Sequence, residues 1–147
     1  MKKVNCILLV DDSPSTNFFN KKLIQVADIA NEVYEALNGI EALDFLLKQG
    51  KFSEEHSSKK FPRPNIIFLD INMPLMDGFE FLEHYSKIKK KVRADMIVVF
   101  LTTSNWCKDR IKALDNTLIF DYIEKPLELS KLKTIAKHYI NNFEVLH

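Results

Sequence analysis

Between Asn65 and Asp70 the sequence reads Ile66–Ile67–Phe68–Leu69, an apolar run with no polar position on either alternating face. Successive side chains of a strand point to opposite sides, so this run must be covered by apolar neighbours on both. It is too short for a helix, it stops at a carboxylate, and Pro74 and Gly78 follow closely. Val4–Val10, Met96–Leu101 and Leu118–Ile123 are further apolar runs, and Glu32–Ala36 marks a weaker strand. Segments of helical periodicity separate them. Strand followed by helix, five times over, predicts an α/β fold: a doubly wound, five-stranded parallel sheet with helices on both faces and right-handed crossovers.

Punctuation places the helices. Ser13–Pro14 reads as a cap followed by proline at the first helical position. Phe19, Leu23 and Val26, with Phe18, Ala27 and Ala30 beside them, supply the stripe expected to face the core. Asn38–Gly39 turns the chain into a second helix carrying Ile40, Leu43, Leu46 and Leu47. Phe79, Leu82, Tyr85 and Ile88 pattern a third, closing in Lys87, Lys89, Lys90, Lys91 and Arg93. Cations suit a helix carboxyl end, so that cluster reads as a solvated terminus and not as a nucleic-acid patch. A short polar fourth helix is expected around Lys108–Leu114. A fifth, capped by Ser130, carries Leu132, Ile135, Ala136, Tyr139 and Ile140. The Gln49–Pro64 connection, with its polar Ser53–Lys60 cluster, exceeds ordinary lengths and reads as a surface loop.

A chain of 147 residues fits one domain, spanning 1–147, with no room for another after the fifth helix. Its formal net charge of +1 supplies no global field toward nucleic acid or an anionic membrane. No segment reaches bilayer-spanning length, and the apolar run after Met1–Lys2–Lys3 is too short for a secretion signal. Cys6 reads as a core thiol and forms no motif with Cys107, in keeping with a reducing cytoplasm. A cytoplasmic protein is expected, with no nucleic-acid or membrane partner.

Ligands of open parallel sheets bind beyond the carboxyl ends of the strands. The residues there are Asp11 and Asp12 after the first strand, Asp70 after the third, Thr102 after the fourth and Lys125 after the fifth. Three crowded carboxylates repel one another unless a cation lies among them. Oxygen donors suit a hard divalent ion, and Mg²⁺ completes its shell with water and phosphate oxygens. The Lys125 ammonium and the Thr102 hydroxyl are the groups a phosphoryl needs opposite such a metal. A carboxylate in that setting can attack phosphorus to give an aspartyl phosphate.

Val10–Asp11–Asp12, Leu69–Asp70–Ile71–Asn72–Met73–Pro74 with Asp77–Gly78, Leu101–Thr102, and Tyr122–Ile123–Glu124–Lys125–Pro126–Leu127 together resemble the receiver domain of bacterial two-component response regulators. The resemblance runs from about Val4 to about Asn142. It implies a flavodoxin-like strand order of 2-1-3-4-5, and Asp70 as acceptor of phosphate from a histidine kinase or a histidine phosphotransfer protein. It implies Mg²⁺ held by Asp12, Asp70 and the main-chain carbonyl of Asn72, with Asp11 acting through water. Thr102 and Lys125 are implied to bind the phosphoryl oxygens, and Lys125–Pro126 to be cis. Thr102 and Tyr122 are implied to be switch residues that remodel the face of the fourth helix, fifth strand and fifth helix, where a separate target protein or a second copy docks. The positions of Asn72 and Ser104 tune phosphate loss in the family. Such a protein catalyses its own phosphorylation and dephosphorylation and is otherwise no enzyme.

Three positions depart from the commonest family pattern: Thr103 stands where a smaller residue is usual, Asn116–Thr117–Leu118 replaces a Gly-Ala, and the Gln49–Pro64 connection is enlarged. A pseudo-receiver scaffold that never uses phosphate is the alternative from the same fold, opposed by the intact Asp12, Asp70, Thr102 and Lys125. A haloacid-dehalogenase-type phosphohydrolase would need a second Asp where Asn72 stands, so its general acid is missing.

Overall fold

A computed structural model describes residues 2–55, 59–101 and 116–143. The strands are β1 (Val4–Val10), β2 (Ala30–Ala36), β3 (Ile66–Leu69), β4 (Met96–Leu101) and β5 (Asp121–Glu124). The described helices are α1 (Pro14–Ala27), α2 (Gly39–Leu47), α3 (Gly78–Tyr85) and α4 (Leu129–Asn142). The sequence-predicted helix at Lys108–Leu114 falls outside the described residues, so α4 corresponds to the fifth helix of the sequence pattern. All neighbouring strands pair in parallel, in the order β2-β1-β3-β4-β5. This is the expected flavodoxin-like arrangement.

Two-sided burial explains the uninterrupted apolar runs. Leu8 and Val10 of β1, Ile67 and Leu69 of β3, and Ile97 and Val99 of β4 face a core shared with α2 and α3. Ile7 and Leu9, Ile66 and Phe68, and Val98 and Phe100 face the opposite core, shared with α1 and α4. Every one of these residues is almost completely buried. Cys6 joins the first core as a free thiol, and burial pushes it up to about 12, so it is inert at neutral pH.

The helices depart from expectation where apolar character alone was used to assign a face. Ser13 caps α1 as anticipated, accepting from the Thr16 N–H at 3.2 Å. Yet Phe18, Phe19 and Val26 are 60%, 57% and 75% exposed, and the buried stripe is Asn17, Asn20, Ile24 and Ala27. Ala30 belongs to β2, and on α2 the buried positions are Ala42, Phe45 and Leu46, with Ile40 and Leu47 exposed. β5 begins at Asp121, after a 3-10 turn at Asn116–Leu118. α4 starts one residue before Ser130, with Glu128 at the cap making no side-chain hydrogen bond. Ser130 therefore lies inside the helix, where its carbonyl accepts from Thr134 Oγ1.

The Gln49–Pro64 connection is more than a solvated loop. Phe52 is buried, and Phe45, Phe52, Phe61 and Tyr34 form an aromatic cluster with ring centroids 5.0–5.7 Å apart. Lys48 Nζ donates to the Phe45 and Pro62 carbonyls, tying the connection to the end of α2. The sequence pattern hid this because the aromatic residues are spaced irregularly among polar ones.

The amino edge of the sheet is fastened by a polar cluster around Asp95. Its carboxylate accepts from Arg63 Nη1 at 3.0 Å, Asn65 Nδ2 at 3.3 Å and the Tyr139 hydroxyl at 2.6 Å. Burial by itself would raise the Asp95 pKa, but the hydrogen bonds from Tyr139, Arg63 and Asn65 outweigh it and hold the carboxyl below the usual carboxylate range. A lowered folded-state pKa stabilises the protein above the unfolded-state value, and that stability is lost as pH falls through the folded one. Tyr139→Phe is expected to destabilise the fold by about 1.5–3 kcal/mol at pH 7, the magnitude of a hydrogen bond to a charged group. In urea denaturation the gap between wild type and variant should close as Asp95 protonates. A gap that persists at acid pH would assign the loss to packing.

Candidate functional site

Strand register brings distant sequence positions together. Val10 pairs with Leu69, so the next residues, Asp11 and Asp70, are neighbours at the carboxyl edge. The Asp70 N–H donates to the Val10 carbonyl at 2.9 Å, and the Asp11 N–H to the Ala36 carbonyl at 3.0 Å. Lys125 leaves β5 two strands away, roughly 10 Å from β3 at ordinary strand spacing. Its side chain crosses above Phe100, with Nζ 5.6 Å from the ring centroid, and reaches both acids. The ammonium lies 2.9 Å from Asp11 Oδ2 and 3.4 Å from Asp70 Oδ2.

Asp11, Asp12 and Asp70 each offer one carboxylate oxygen, and these oxygens all lie within 4.8 Å of one another. Asp11 and Asp70 are buried and Asp12 is exposed, so the pocket opens to solvent on the Asp12 side. Asp11 Oδ1 accepts the Ser13 N–H at 2.9 Å, and Asp70 Oδ1 accepts the Ile71 N–H at 2.9 Å. Burial is the main cause that raises the Asp70 pKa, with Asp11 adding to it and Lys125 only partly opposing. Lys125 is shifted up as well: burial works against its ammonium, but the hydrogen bond to Asp11 and the charge of Asp70 prevail. Three carboxylates thus share a pocket with the Lys125 ammonium, which pairs with two of them. The donor set is all hard oxygen, and the charge imbalance fits a divalent cation.

Tight backbone packing shapes the loop after β3. The Gly78 N–H donates to the Ile71 carbonyl at 2.8 Å, and a Cβ at Gly78 would lie 2.7 Å from the Asp70 carbonyl oxygen. Only glycine permits this approach, which folds the loop back over the end of β3. On its far side the Met76 carbonyl accepts the Gly39 N–H at 2.9 Å, clasping the loop to the start of α2. Asp77 and Glu80 close a capping box at the start of α3. Asn72 is exposed within this loop, and the Lys125–Pro126 peptide is cis, as expected. Tyr122 is partly buried on β5, against the core shared with α2 and α3.

Of the sequence-predicted site residues, the fold brings Asp11, Asp12, Asp70 and Lys125 together. Thr102 and Ser104 lie outside the described residues. Sequence reasoning missed Asn17 and Asn20, buried on the first turns of α1 beside this edge. Their signal was the spacing 17, 20, 24 and 27, a helical stripe whose first half is polar.

Comparison with known proteins agrees with this architecture. A model of the response regulator receiver domain matches residues 7–137. The chain is 30% identical over 126 residues to Response regulator Rcp1 of Synechocystis sp., covering 86% of this chain and 80% of that protein. It is 34% identical over 136 residues to the probable transcriptional regulator ycf29 of Porphyra purpurea, covering 92% of this chain but 56% of that longer protein. Among solved structures, a two-component response regulator from Cytophaga hutchinsonii superposes with a TM-score of 0.74 at 22% identity, over 96% of this chain and all of that one, a likeness of fold. The Mn(2+)-bound form of Rcp1 superposes with a TM-score of 0.65 at 27% identity, over 95% of this chain and 94% of that one. By fold, by the residues at its carboxyl edge and by sequence, this chain belongs to the response regulator receiver domain family.

Proposed function

We propose that this chain is the phosphoacceptor of a two-component system, with Asp70 as the residue modified. The observation that carries the reading is the meeting of the three carboxylates, whose oxygens lie within 4.8 Å, with the Lys125 ammonium. An Asp70 carboxylate oxygen attacks the phosphorus of a phosphohistidine on a histidine kinase or a histidine phosphotransfer protein. The O–P bond forms as the N–P bond breaks, and the imidazole leaves with the electron pair. Lys125 offsets charge on the transferred oxygens, and Thr102 donates a hydrogen bond to them. Asp12, Asp70 and the Asn72 carbonyl, with Asp11 acting through water, would hold Mg²⁺, which would supply further charge neutralisation at the phosphoryl oxygens. The Mn(2+) in the Rcp1 structure supports a divalent ion in this pocket.

The phosphoryl group is received on the protein's own side chain and later lost to water, and the protein is no enzyme toward outside substrates, since Asn72 stands where a phosphohydrolase would need its general acid. Its output is conformational: the phosphoryl group favours the state that offers it the hydrogen bond from Thr102, and Tyr122 follows. A separate target or a second copy then reads the face that includes β5 and α4. No described helix is long and apolar enough to cross a membrane; a cytoplasmic location remains part of this proposal.

Docking of the donor follows from what α1 exposes. Phe19, with Ser15, Thr16, Asn20, Lys125, Pro126 and Leu127, lines a cleft of about 410 Å³ beside the acidic pocket. Phe18, the preceding residue of α1, is exposed as well. Single exposed apolar residues are ordinary, but an exposed ring that shares a cleft with Lys125, which itself reaches Asp70, suits a protein donor that must approach that carboxylate.

Three outcomes are expected. Intact mass after incubation with acetyl phosphate and Mg²⁺ should show one phosphoryl adduct, lost in Asp70→Asn and without metal; an adduct that survives Asp70→Asn would place the acceptor elsewhere. Asp70→Asn should also raise Tm by a few degrees at pH 7 in chelator. An acid whose folded pKa is raised favours folding at low pH and opposes it once ionised, so the gain should shrink on acidification. Phe19→Asp should slow transfer from a protein donor at least tenfold and leave acetyl phosphate labelling unchanged. Equal slowing with both donors would mean that the substitution disturbs the pocket itself.

A further inference from the structure

The three acids are not held alike. Asp11 has both oxygens engaged, Oδ1 by the Ser13 N–H and Oδ2 by Lys125. Asp70 has Oδ1 on the Ile71 N–H and Oδ2 against Lys125. The Asp12 side chain makes no hydrogen bond or ion pair among the described residues, and it is exposed. The backbone alone therefore sets where this side chain departs from the chain.

That backbone is gripped from behind. Asn17, fully buried on α1, donates from Nδ2 to the Asp11 carbonyl at 2.9 Å and to the Ala36 carbonyl at 3.4 Å. The Asp11 carbonyl belongs to the peptide that joins Asp11 to Asp12, so its orientation decides where the Asp12 side chain departs. The Ala36 carbonyl also accepts the Asp11 N–H, so one amide ties the exit of β1, the end of β2 and the start of α1. Asn17 Oδ1 has no hydrogen-bond partner among the described residues. An apolar residue on the same face would leave the Asp11 carbonyl without this donor, so what the amide supplies here is a fixed orientation of the Asp11–Asp12 peptide.

We infer that Asn17 is a positioning residue for Asp12: by fixing the Asp11–Asp12 peptide it sets the divalent-cation affinity of the acidic pocket. The inference rests on the reading that Asp11, Asp12 and Asp70 hold such an ion. Groups that orient metal ligands from behind typically change affinity by about 10- to 100-fold when removed.

A double-mutant cycle tests it, with Mg²⁺ affinity measured by calorimetric or NMR titration on protein shown to be folded. In the wild-type background Asn17→Ala should raise the Mg²⁺ Kd about tenfold. In an Asp12→Asn background, where the oriented charge is gone, the same substitution should change the Kd less than about twofold, by the logic of coupled sites. A merely structural role would weaken Mg²⁺ equally in both backgrounds, and that result would overturn the proposal. An unchanged Kd in the single variant would overturn it too. If Asn17→Ala does not fold, Asn17→Ser, whose hydroxyl is too short to span both carbonyls, replaces it in the same cycle. Wild-type protein that binds no Mg²⁺ at millimolar concentration would instead defeat the cation reading itself, and this inference with it.

Discussion

Leu8, Leu9 and Val10 of β1 and Ile66 to Leu69 of β3 are buried on both faces of the sheet, which leaves no lateral surface on which a charged group could stand. A carboxylate set within either run would face a helix and lose its hydration without a partner. Polar chemistry is thereby driven to the strand ends. Because the strands are parallel and in register, the residues just past Val10 and Leu69 come side by side. The acidic pocket is a consequence of that coverage. Apolar packing on both faces decides where acids can gather, and register decides which acids meet.

Gathering them has an energetic consequence, carried by Lys125 and by the loops. One ammonium reaches Asp11 and Asp70 from β5 and partly offsets their repulsion. Asp11 and Asp70 stay side by side because strand register and their main-chain hydrogen bonds hold them there. Gly78 packs onto the Asp70 carbonyl and Gly39 onto Met76, so the loop after β3 is fixed at both its ends. A pocket held in this way keeps its affinity for a cation ready before the cation arrives.

The sequence made the parallel sheet and its acidic edge legible because both depend on residue type at fixed positions. An unbroken apolar run has one explanation in a parallel sheet, and Asp70 or Lys125 is displayed wherever its strand stops. Helix faces were less legible. Phe19, Leu23 and Val26 satisfy helical spacing and apolar character, yet Phe19 and Val26 are exposed and Asn17 and Asn20 turn inward. Spacing defines a stripe but not which of several stripes packs, and that choice follows the neighbours' geometry. Near the carboxyl edge α1 faces backbone carbonyls of β1 and β2, so an amide suits the inner position better than a ring. The Phe52 and Phe61 rings were missed for a related reason: their partners, Tyr34 and Phe45, come from other elements and leave no local period.

Two carboxylates at opposite edges of one sheet show what separates an acid with its charge satisfied from one without. Asp95 and Asp70 are both withdrawn from water, and burial is the largest upward influence on each. At Asp95 a guanidinium, an amide and a phenol converge on the oxygens, and the net shift is downward. At Asp70 one backbone N–H and a shared lysine face the added field of Asp11, and the net shift is upward. A carboxylate whose charge is already satisfied binds nothing further and contributes to stability at neutral pH. One whose charge is left unsatisfied weakens the fold and is available to a cation and an electrophile. The protein thus holds its amino edge with an acid of the first kind and places at its carboxyl edge an acid of the second, the one proposed as phosphoacceptor.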